Sequence, residues 1–416
     1  MRILVYPHDL SIGGSQINAV DLAAGAAAAG HDVVVYGRPG PLVEYIEKRG
    51  LRFIPAHPHR YRPGLPRVLE LARLARHERL DLIHAYEWPP CLDAYFGAGL
   101  ISGVPLLCTV LSMAVMPNVP ASVPLIMGTE ALGEAARRVQ SADVWVLEPP
   151  IDTLQDHPGI DGRAFRRRHG IADDDRLVVV VSRLAIDLKL DALVRTIDAA
   201  DLLATRHRIR LLIVGDGEAR AALDARAASV NRRHEREVVT LTGAELDPRE
   251  AYAAGDAVIG MGSSALRALA IGRPVVVQGE HGFSEVFEPA TLALFIRQGF
   301  FGTGSGEANA RRLAQQVDRL LGSTALADEL GRYGRRIVTE RFSLERAVPI
   351  QLDIYDKVMR SPAGHRLGEV LRSARRALML EVRNHDPRRK RRQTARELAL
   401  MAAASQGCWP PTIVHE

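Results

Sequence analysis

Apolar runs of about five residues alternate with longer helix-like stretches along most of this chain, and no other feature constrains its fold as strongly. Residues 1–150 read RILVYP, SQINAVDLAAGAAAAG, DVVVYG, PLVEYIEKRG, RFIPA, then DLIHAY and PLLCTVL. Runs of that length suit strands buried on both faces, and their alternation with helical segments predicts parallel β-α-β units in a doubly wound sheet. Gly30 and Gly50 fall where helix C-caps are expected. The rhythm pauses at EPPIDTLQDHPGIDGRAFRRRHGI, residues 148–171, whose proline, glycine and charge predict an interdomain linker. It resumes with LVVVVSR, IRLLIVGDGEARAAL, EVVTLTG, REAYAAGDAVIGMG and SALRALAIGRPVVVQG, which predict a second sheet of the same kind. The expected domains are 1–160 and 161–343, with further segments at 344–360 and 361–416.

With 416 residues and 47% apolar content, the chain has enough to build two cores. Cys91, Cys108 and Cys408 are too few and too scattered for a disulfide framework or a zinc site. His57, His59, His157, His169 and His281 lack metal-ligand spacing, so no metal is expected and these histidines are expected to be structural or on the surface. The start MRILVYP lacks the charged, apolar and small-residue order of a secretory signal, which predicts a cytoplasmic location. Residues 94–129 carry no charge over a length that can cross a bilayer, yet Pro105, Pro117, Pro120 and Pro124 argue for buried strand plus loop. Net charge is +5, but residues 361–416 hold 11 Lys and Arg against 5 Asp and Glu, so the body is near neutral and no nucleic-acid partner is expected. The tail has helical apolar spacing around an arginine cluster. It reads as a solvated or partner-bound appendage, or as a peripheral contact with an anionic inner-membrane surface.

Open parallel sheets bind ligands outside the carboxyl ends of their strands, and two such domains in tandem leave a cleft there. The residues following the strands are therefore the candidates. Gly13 and Gly14 precede Ser15, a possible helix N-cap; the stretch reads as an anion-binding turn or as an ordinary strand-to-helix turn. Gly260 and Gly262 precede Ser263 and Ser264, which can open a helix with the N–H groups of Ser264, Ala265 and Leu266 exposed to a phosphate. No Gly-Lys-Ser/Thr follows, so this is not a P-loop. Only four of the 54 basic residues are lysines, and one of them, Lys189, follows Arg183 past the strand LVVVVS. A guanidinium fork and a compact ammonium at one strand end suit a diphosphate and the charge that grows as it departs.

In order, these motifs resemble the retaining, nucleotide-sugar-dependent glycosyltransferases of family 4, which have the GT-B fold. The resemblance rests on Gly13-Gly14, SRLAIDLK, LLIVGDGEARAAL, LTG, ALRALAIGRPVVV, GFSEVF and RRIVTERFSLERAVPIQLDIYDKV, and covers most of residues 1–360. It implies two Rossmann-like α/β domains facing a central cleft, with the N-terminal one on the acceptor side and the C-terminal one binding a donor such as a UDP-sugar. A final helix over 344–360 would cross back onto the N-terminal domain. Arg183 and Lys189 would hold the donor diphosphate, helped by Met261, Gly262, Ser263, Ser264 and Ala265. Gly215, Gly243, Ala244 and Glu245 would lie along the nucleotide, the last three near its base, and Gly13, Gly14 and Ser15 near the phosphate and reaction centre. Neither a cofactor nor a metal is implied.

Two departures stand out. The family carries paired glutamates eight positions apart, where this chain has Ile259 and Arg267; a guanidinium there reverses the charge and points to a phosphate or a carboxylated donor. The histidine usual after PLLCTVL is replaced in Leu111-Ser112-Met113. Glu87 is then a candidate to orient the acceptor, with Trp88 as a platform for its ring and Gln16, Ser112 and Met113 nearby; a solvated loop carboxylate is the other reading of Glu87. Asp216 reads as a turn former. The expected function is transfer of a hexosyl group with retention, in a GC-rich bacterium judged by the arginine and alanine bias. The alternatives are a non-catalytic nucleotide-sugar-binding scaffold and a GT-B sugar epimerase.

Overall fold

The apolar runs become strands in two separate sheets. A computed structural model describes residues 1–58, 63–112, 117–306, 309–360 and 367–406. The chain forms two units: Met1–Asp152 with Phe342–Lys390, and Thr153–Arg341 with the chain from Arg391. The first change of unit falls before residue 160. Arg335 donates to the carbonyl oxygens of Thr153 and Asp156, and Phe165 is fully buried, so this part of the expected linker is built into the second unit.

In the first unit β1 (Arg2–Tyr6), β2 (Asp32–Gly37), β3 (Arg52–Pro55), β4 (Leu82–Tyr86), β5 (Leu106–Val110), β6 (Leu125–Met127) and β7 (Val144–Val146) form a parallel sheet ordered β3-β2-β1-β4-β5-β6-β7. Successive side chains leave opposite faces. Ile3, Val5, Val33 and Val35 enter one core with Ala19, Val20 and Ala23 of helix Gly14–Ala28, whereas Leu4, Tyr6, Val34 and Tyr36 enter another with Leu71 and Ala75 of helix Leu65–His77. Each such fully buried Leu, Ile or Val contributes about 1.5–3 kcal/mol, which is why near-continuous apolar runs are required. Strand order reverses between β1 and β4, the position where an open sheet forms its crevice. Gly30 and Gly50 take left-handed backbone (φ 93° and 73°) and end their helices as the sequence indicates.

Helix Leu344–Arg360 packs in this unit against Gly14–Ala28. A Cβ at Gly25 would stand 2.2 Å from Val348 Cγ2, and Gln351 donates to the Leu22 carbonyl at 3.4 Å. Tyr355 of the same helix lies 2.7 Å from Nδ1 of buried His84, whose Nε2 is 2.7 Å from Thr109 Oγ1; burial pushes the His84 pKa down to about 3, which keeps it neutral. The charge-free run 94–129 supplies β5 and β6. Among the described residues no helix is long and apolar enough to cross a membrane.

The second unit holds β8 (Arg176–Val181), β9 (Ile209–Val214), β10 (Val239–Gly243), β11 (Ala257–Gly260), β12 (Val275–Gln278) and β13 (Ser284–Val286) in the order β10-β9-β8-β11-β12-β13. Only the edge strand β13 is antiparallel. Strand order reverses between β8 and β11.

The described part of the tail is not a solvated appendage. In helix Leu367–Asn384, Val370 packs on the first unit and the Glu369 carboxylate accepts from Ser122 N at 2.6 Å. In helix Pro387–Gln406, Leu400, Met401 and Ala404 join the core of the second unit, and Arg226 donates to the Ala404 carbonyl at 2.8 Å.

Candidate functional site

At the carboxyl end of the second sheet the loops are laced to one another by backbone hydrogen bonds. Ser182 N donates to Val214 O (3.0 Å), Leu184 N to Asp216 O (2.9 Å), Ala219 N to Leu184 O (2.9 Å) and Gly215 N to Gly243 O (2.7 Å). Such close approach demands glycine. At Gly215 (φ 150°) a Cβ would lie 1.8 Å from Ser182 O, and at Gly217 (φ 156°) 2.6 Å from Leu184 O. Gly215→Ala is therefore expected to cost at least about 2 kcal/mol in denaturant unfolding, because backbone rather than a side chain must move.

This lacing fixes the segment that carries Arg183 and Lys189. Ile186 N donates to Glu218 Oε1 at 3.0 Å, and Leu188 takes left-handed backbone (φ 64°) just before Lys189, which opens helix Leu190–Leu203. Arg183 is exposed and forms no ion pair among the described residues. Lys189 is half-buried and likewise has no acidic partner there; burial, and then the like charge of Arg183, push its pKa down to about 8. Two cations held close together, neither paired with a carboxylate among the described residues, favour an anionic group at this strand end.

The neighbouring strand end adds N–H groups to the same place. Gly262, with φ 59° and ψ −133°, caps helix Ser263–Ala270, so the cap is the glycine and the two serines are the first and second residues of the helix. Leu266 N is already bonded to Gly262 O (3.2 Å), which leaves the N–H groups of Ser263, Ser264 and Ala265 as the open set, one residue earlier than the sequence implied. Ser264 Oγ donates to Val181 O (2.8 Å) and accepts from Tyr252 Oη (3.0 Å). Since Val181 ends β8, that hydroxyl ties the helix N-terminus to the strand end from which Arg183 leaves. Further along the rim, Gly243 (φ 96°) leads to exposed Ala244 and to Glu245, whose pKa burial raises and whose carboxylate lies 3.7 Å from Arg168.

In the first unit Gly13 caps helix Gly14–Ala28 with an extended backbone, and Ile17 N bonds to Gly13 O (3.0 Å), leaving the N–H groups of Gly14, Ser15 and Gln16 open. Ser15 is thus not the cap, and its buried Oγ has no partner among the described residues. Gln16 is 2% exposed and donates to Asp9 Oδ1 (2.8 Å) while lying 3.1 Å from His8 Nε2, so it braces the loop after β1 rather than offering itself to an acceptor. Burial alone would raise the Asp9 pKa, but hydrogen bonds with His8 and Ser11 outweigh it and hold the carboxyl well below the usual range. Sequence reasoning passed over His8 and Asp9, although both lie within three residues of the end of β1.

Glu87 is likewise structural. Its Oε1 accepts from Leu111 N (2.8 Å) and Ser112 N (2.9 Å), its Oε2 from Ser112 Oγ (2.8 Å), and its backbone is left-handed (φ 69°). A carboxylate so engaged clamps the β5 loop to the β4 loop; it is neither a solvated side chain nor free to orient an acceptor. Trp88 is half-buried on one face of the core, and Ser112 is exposed. Met113 lies outside the described residues.

Comparison with known proteins bears on what this arrangement serves. The Glycosyltransferase Family 4 model matches residues 12–122, and the Glycosyl transferases group 1 model matches residues 161–337. The chain is a family-4-like GT-B glycosyltransferase. It is 23% identical over 388 residues, 84% of this chain and 95% of the relative, to the uncharacterized glycosyltransferase MJ1607 of Methanocaldococcus jannaschii. A glycosyltransferase from Rickettsia africae shares its fold with TM-score 0.70 and 17% identity over 86% of this chain and 99% of that one. HepE of Anabaena, solved with UDP and glucose, superposes with TM-score 0.67 and 18% identity over 86% of this chain and 100% of that one.

In this glycosyltransferase Ile259 and Arg267, the two positions where the resemblance implies glutamates, do structural work. Ile259 is 3% exposed and belongs to the core beneath β11. Arg267 Nη1 lies 3.0 Å from Asp156 Oδ2, and Asp156 is fully buried, so the guanidinium serves a buried ion pair and not the donor phosphate expected of it. Among the described residues no group of three or more His, Cys, Asp or Glu is placed to hold a metal ion.

Proposed function

We propose that the enzyme transfers a hexosyl group from a nucleoside diphosphate sugar, of the UDP-sugar type, to an acceptor with retention of configuration and without a metal. The observation that carries this is the pairing of Arg183 and Lys189, neither with an acidic partner among the described residues, beside the open N–H groups of Ser263, Ser264 and Ala265. A diphosphate takes both kinds of donor, and the charge on its bridging oxygen grows as the bond to the sugar C1 breaks, which is where preorganised cations lower the barrier. The departing phosphate oxygen takes the acceptor proton as the acceptor oxygen bonds to C1 on the same face. No protein carboxylate is needed for that step, so the loss of both glutamates is compatible with turnover. The first unit would receive the acceptor, through the rim of β1 and β4. We place the reaction in the cytoplasm of a bacterium, in keeping with the arginine and alanine bias.

One observation favours a second reading. With Ile259 in the core and Arg267 paired, neither position offers a carboxylate to the sugar or ribose, as in a binding protein that has lost transfer. Incubation with a panel of nucleotide sugars and a cell extract, followed by NMR of the product anomer, decides between them. A product with the donor's anomeric configuration is expected; an inverted product, or neither transfer nor slow donor hydrolysis with any donor, contradicts the proposal.

The lowered pKa of Lys189 adds a pH signature. With its pKa near 8, free Lys189 is half deprotonated there, whereas a bound diphosphate holds the ammonium charged and raises that pKa, so binding takes up a proton around and above pH 8. Affinity for a nucleoside diphosphate is expected to fall as pH rises from 8, by up to about tenfold per pH unit, and Lys189→Met should flatten the profile.

A further inference from the structure

Helix Leu367–Asn384 presents two apolar faces, and only one of them meets the protein. Val370 and Ala377 pack inward, on the side where Glu369 bonds to Ser122. On another side Leu367, Leu371, Leu378 and Val382, spaced i, i+4, i+11 and i+15, are 75%, 62%, 66% and 65% exposed. Successive helical residues turn by about 100°, so these four fall within one narrow stripe, with Met379 beside it. Arg375 borders the stripe and Arg372 and Arg383 lie on the same side beyond Met379, all three exposed and without an ion pair among the described residues. Both carboxylates of the helix are engaged, that of Glu369 with Ser122 N and that of Glu381, 17% exposed, with His385 at 3.4 Å. After Pro387 the chain continues with exposed Arg388, Arg389 and Lys390.

We propose that this face of helix Leu367–Asn384 lies on an anionic membrane surface, with the leucine and valine stripe entering the headgroup boundary and the flanking arginines bound to lipid phosphates. A stripe of large apolar side chains bordered on one side by unpaired cations, with the helix carboxylates already engaged, is the pattern of an interfacial helix. It also tells against a second copy of the chain as the occupant. Two such faces brought together would set arginine against arginine, while the carboxylates of each helix are already engaged with Ser122 and His385. The inference stands on the tail alone and does not require the proposed reaction.

Sedimentation of the full-length protein with vesicles tests it. Binding is expected to vesicles about one-third phosphatidylglycerol in phosphatidylcholine, to be weak on pure phosphatidylcholine, and to fall at high salt. The pair Leu371→Ser and Val382→Ser should lower partitioning at least about tenfold. Each of Arg375→Ala and Arg383→Ala should lower it about fivefold at low salt. These side chains are exposed, so thermal melting should be unchanged and loss of binding cannot be ascribed to unfolding. Absence of binding, equal binding to both vesicle types, or variants that bind as well as the parent would overturn the proposal. So would a concentration-dependent dimer that Leu378→Glu disperses.

Discussion

Arg183→Ala and Lys189→Ala are each expected to lower donor-dependent turnover by about 10²–10³-fold, the loss typical when one preorganised charge facing a developing oxyanion is removed. Both residues leave the end of β8, in a segment whose geometry is set by hydrogen bonds from Leu184 N to Asp216 and from Ile186 N to Glu218, in which neither cation takes part. Truncation should therefore leave the loop in place. Lys189→Ala should in addition keep or raise the melting temperature, because it removes a desolvated ammonium lying beside a like charge. A fall in kcat without a fall in stability, measured by release of nucleoside diphosphate, is the expected pattern. Lys189→Arg should recover only part of the rate, since the planar fork cannot occupy the half-buried position of a compact ammonium. Turnover within a few-fold of the parent in both alanine variants would show that these cations serve no leaving group.

The largest effect on stability is expected at Asp156. Its carboxylate is fully buried against Arg267, which is itself only 18% exposed, so Asp156→Ala removes a buried countercharge from a poorly solvated guanidinium. Removing one side of such a pair costs about 3–5 kcal/mol, whereas replacing both sides with apolar residues is often neutral. The paired change Asp156→Leu with Arg267→Met should thus recover most of the loss. Chemical denaturation of the three proteins reads this directly. A cost below about 1 kcal/mol for Asp156→Ala would mean that the pair is not structural and that Arg267 is available to a ligand.

The sheets were legible in the sequence because a strand buried on both faces must be apolar throughout, and runs such as ILVY, DVVVYG and LVVVV have no other economical use. The short outer strands β6, β7 and β13 were less so. Three residues carry no period, and VWV of β7 is only half-buried. The tail showed its helical period but not its destination, since which core accepts Val370 or Ala404 is a tertiary matter. The expectation of a solvated appendage failed for that reason.

At the site, position along the chain was readable and partnership was not. Strand ends located Arg183, Lys189, Glu87 and Gly262. Side-chain capping preferences suggested Ser15 and Ser263 or Ser264 as caps, but the backbone at Gly262 (φ 59°, ψ −133°) excludes a side chain, and a glycine takes the cap at each helix. Glu87 and Gln16 read as ligand contacts because each is polar and close to a strand end, and Arg267 because it stands where the resemblance implies a glutamate. Their partners, Ser112, Asp9 and Asp156, are set by folding: Ser112 and Asp156 lie 25 and 111 residues away in sequence, and even for Asp9, seven residues from Gln16, no local pattern announces the pairing. The His8 and Asp9 pair was passed over for the same reason.

Calorimetric titration of UDP into the parent protein and into the Arg183→Ala, Lys189→Ala double variant, at pH 7 and pH 9, tests the diphosphate site most directly. Expected is saturable binding to the parent that weakens at pH 9 with proton uptake, and none measurable in the double variant at either pH. Equal affinity in both proteins, or binding to the parent that is indifferent to pH, would contradict a diphosphate held by these two cations.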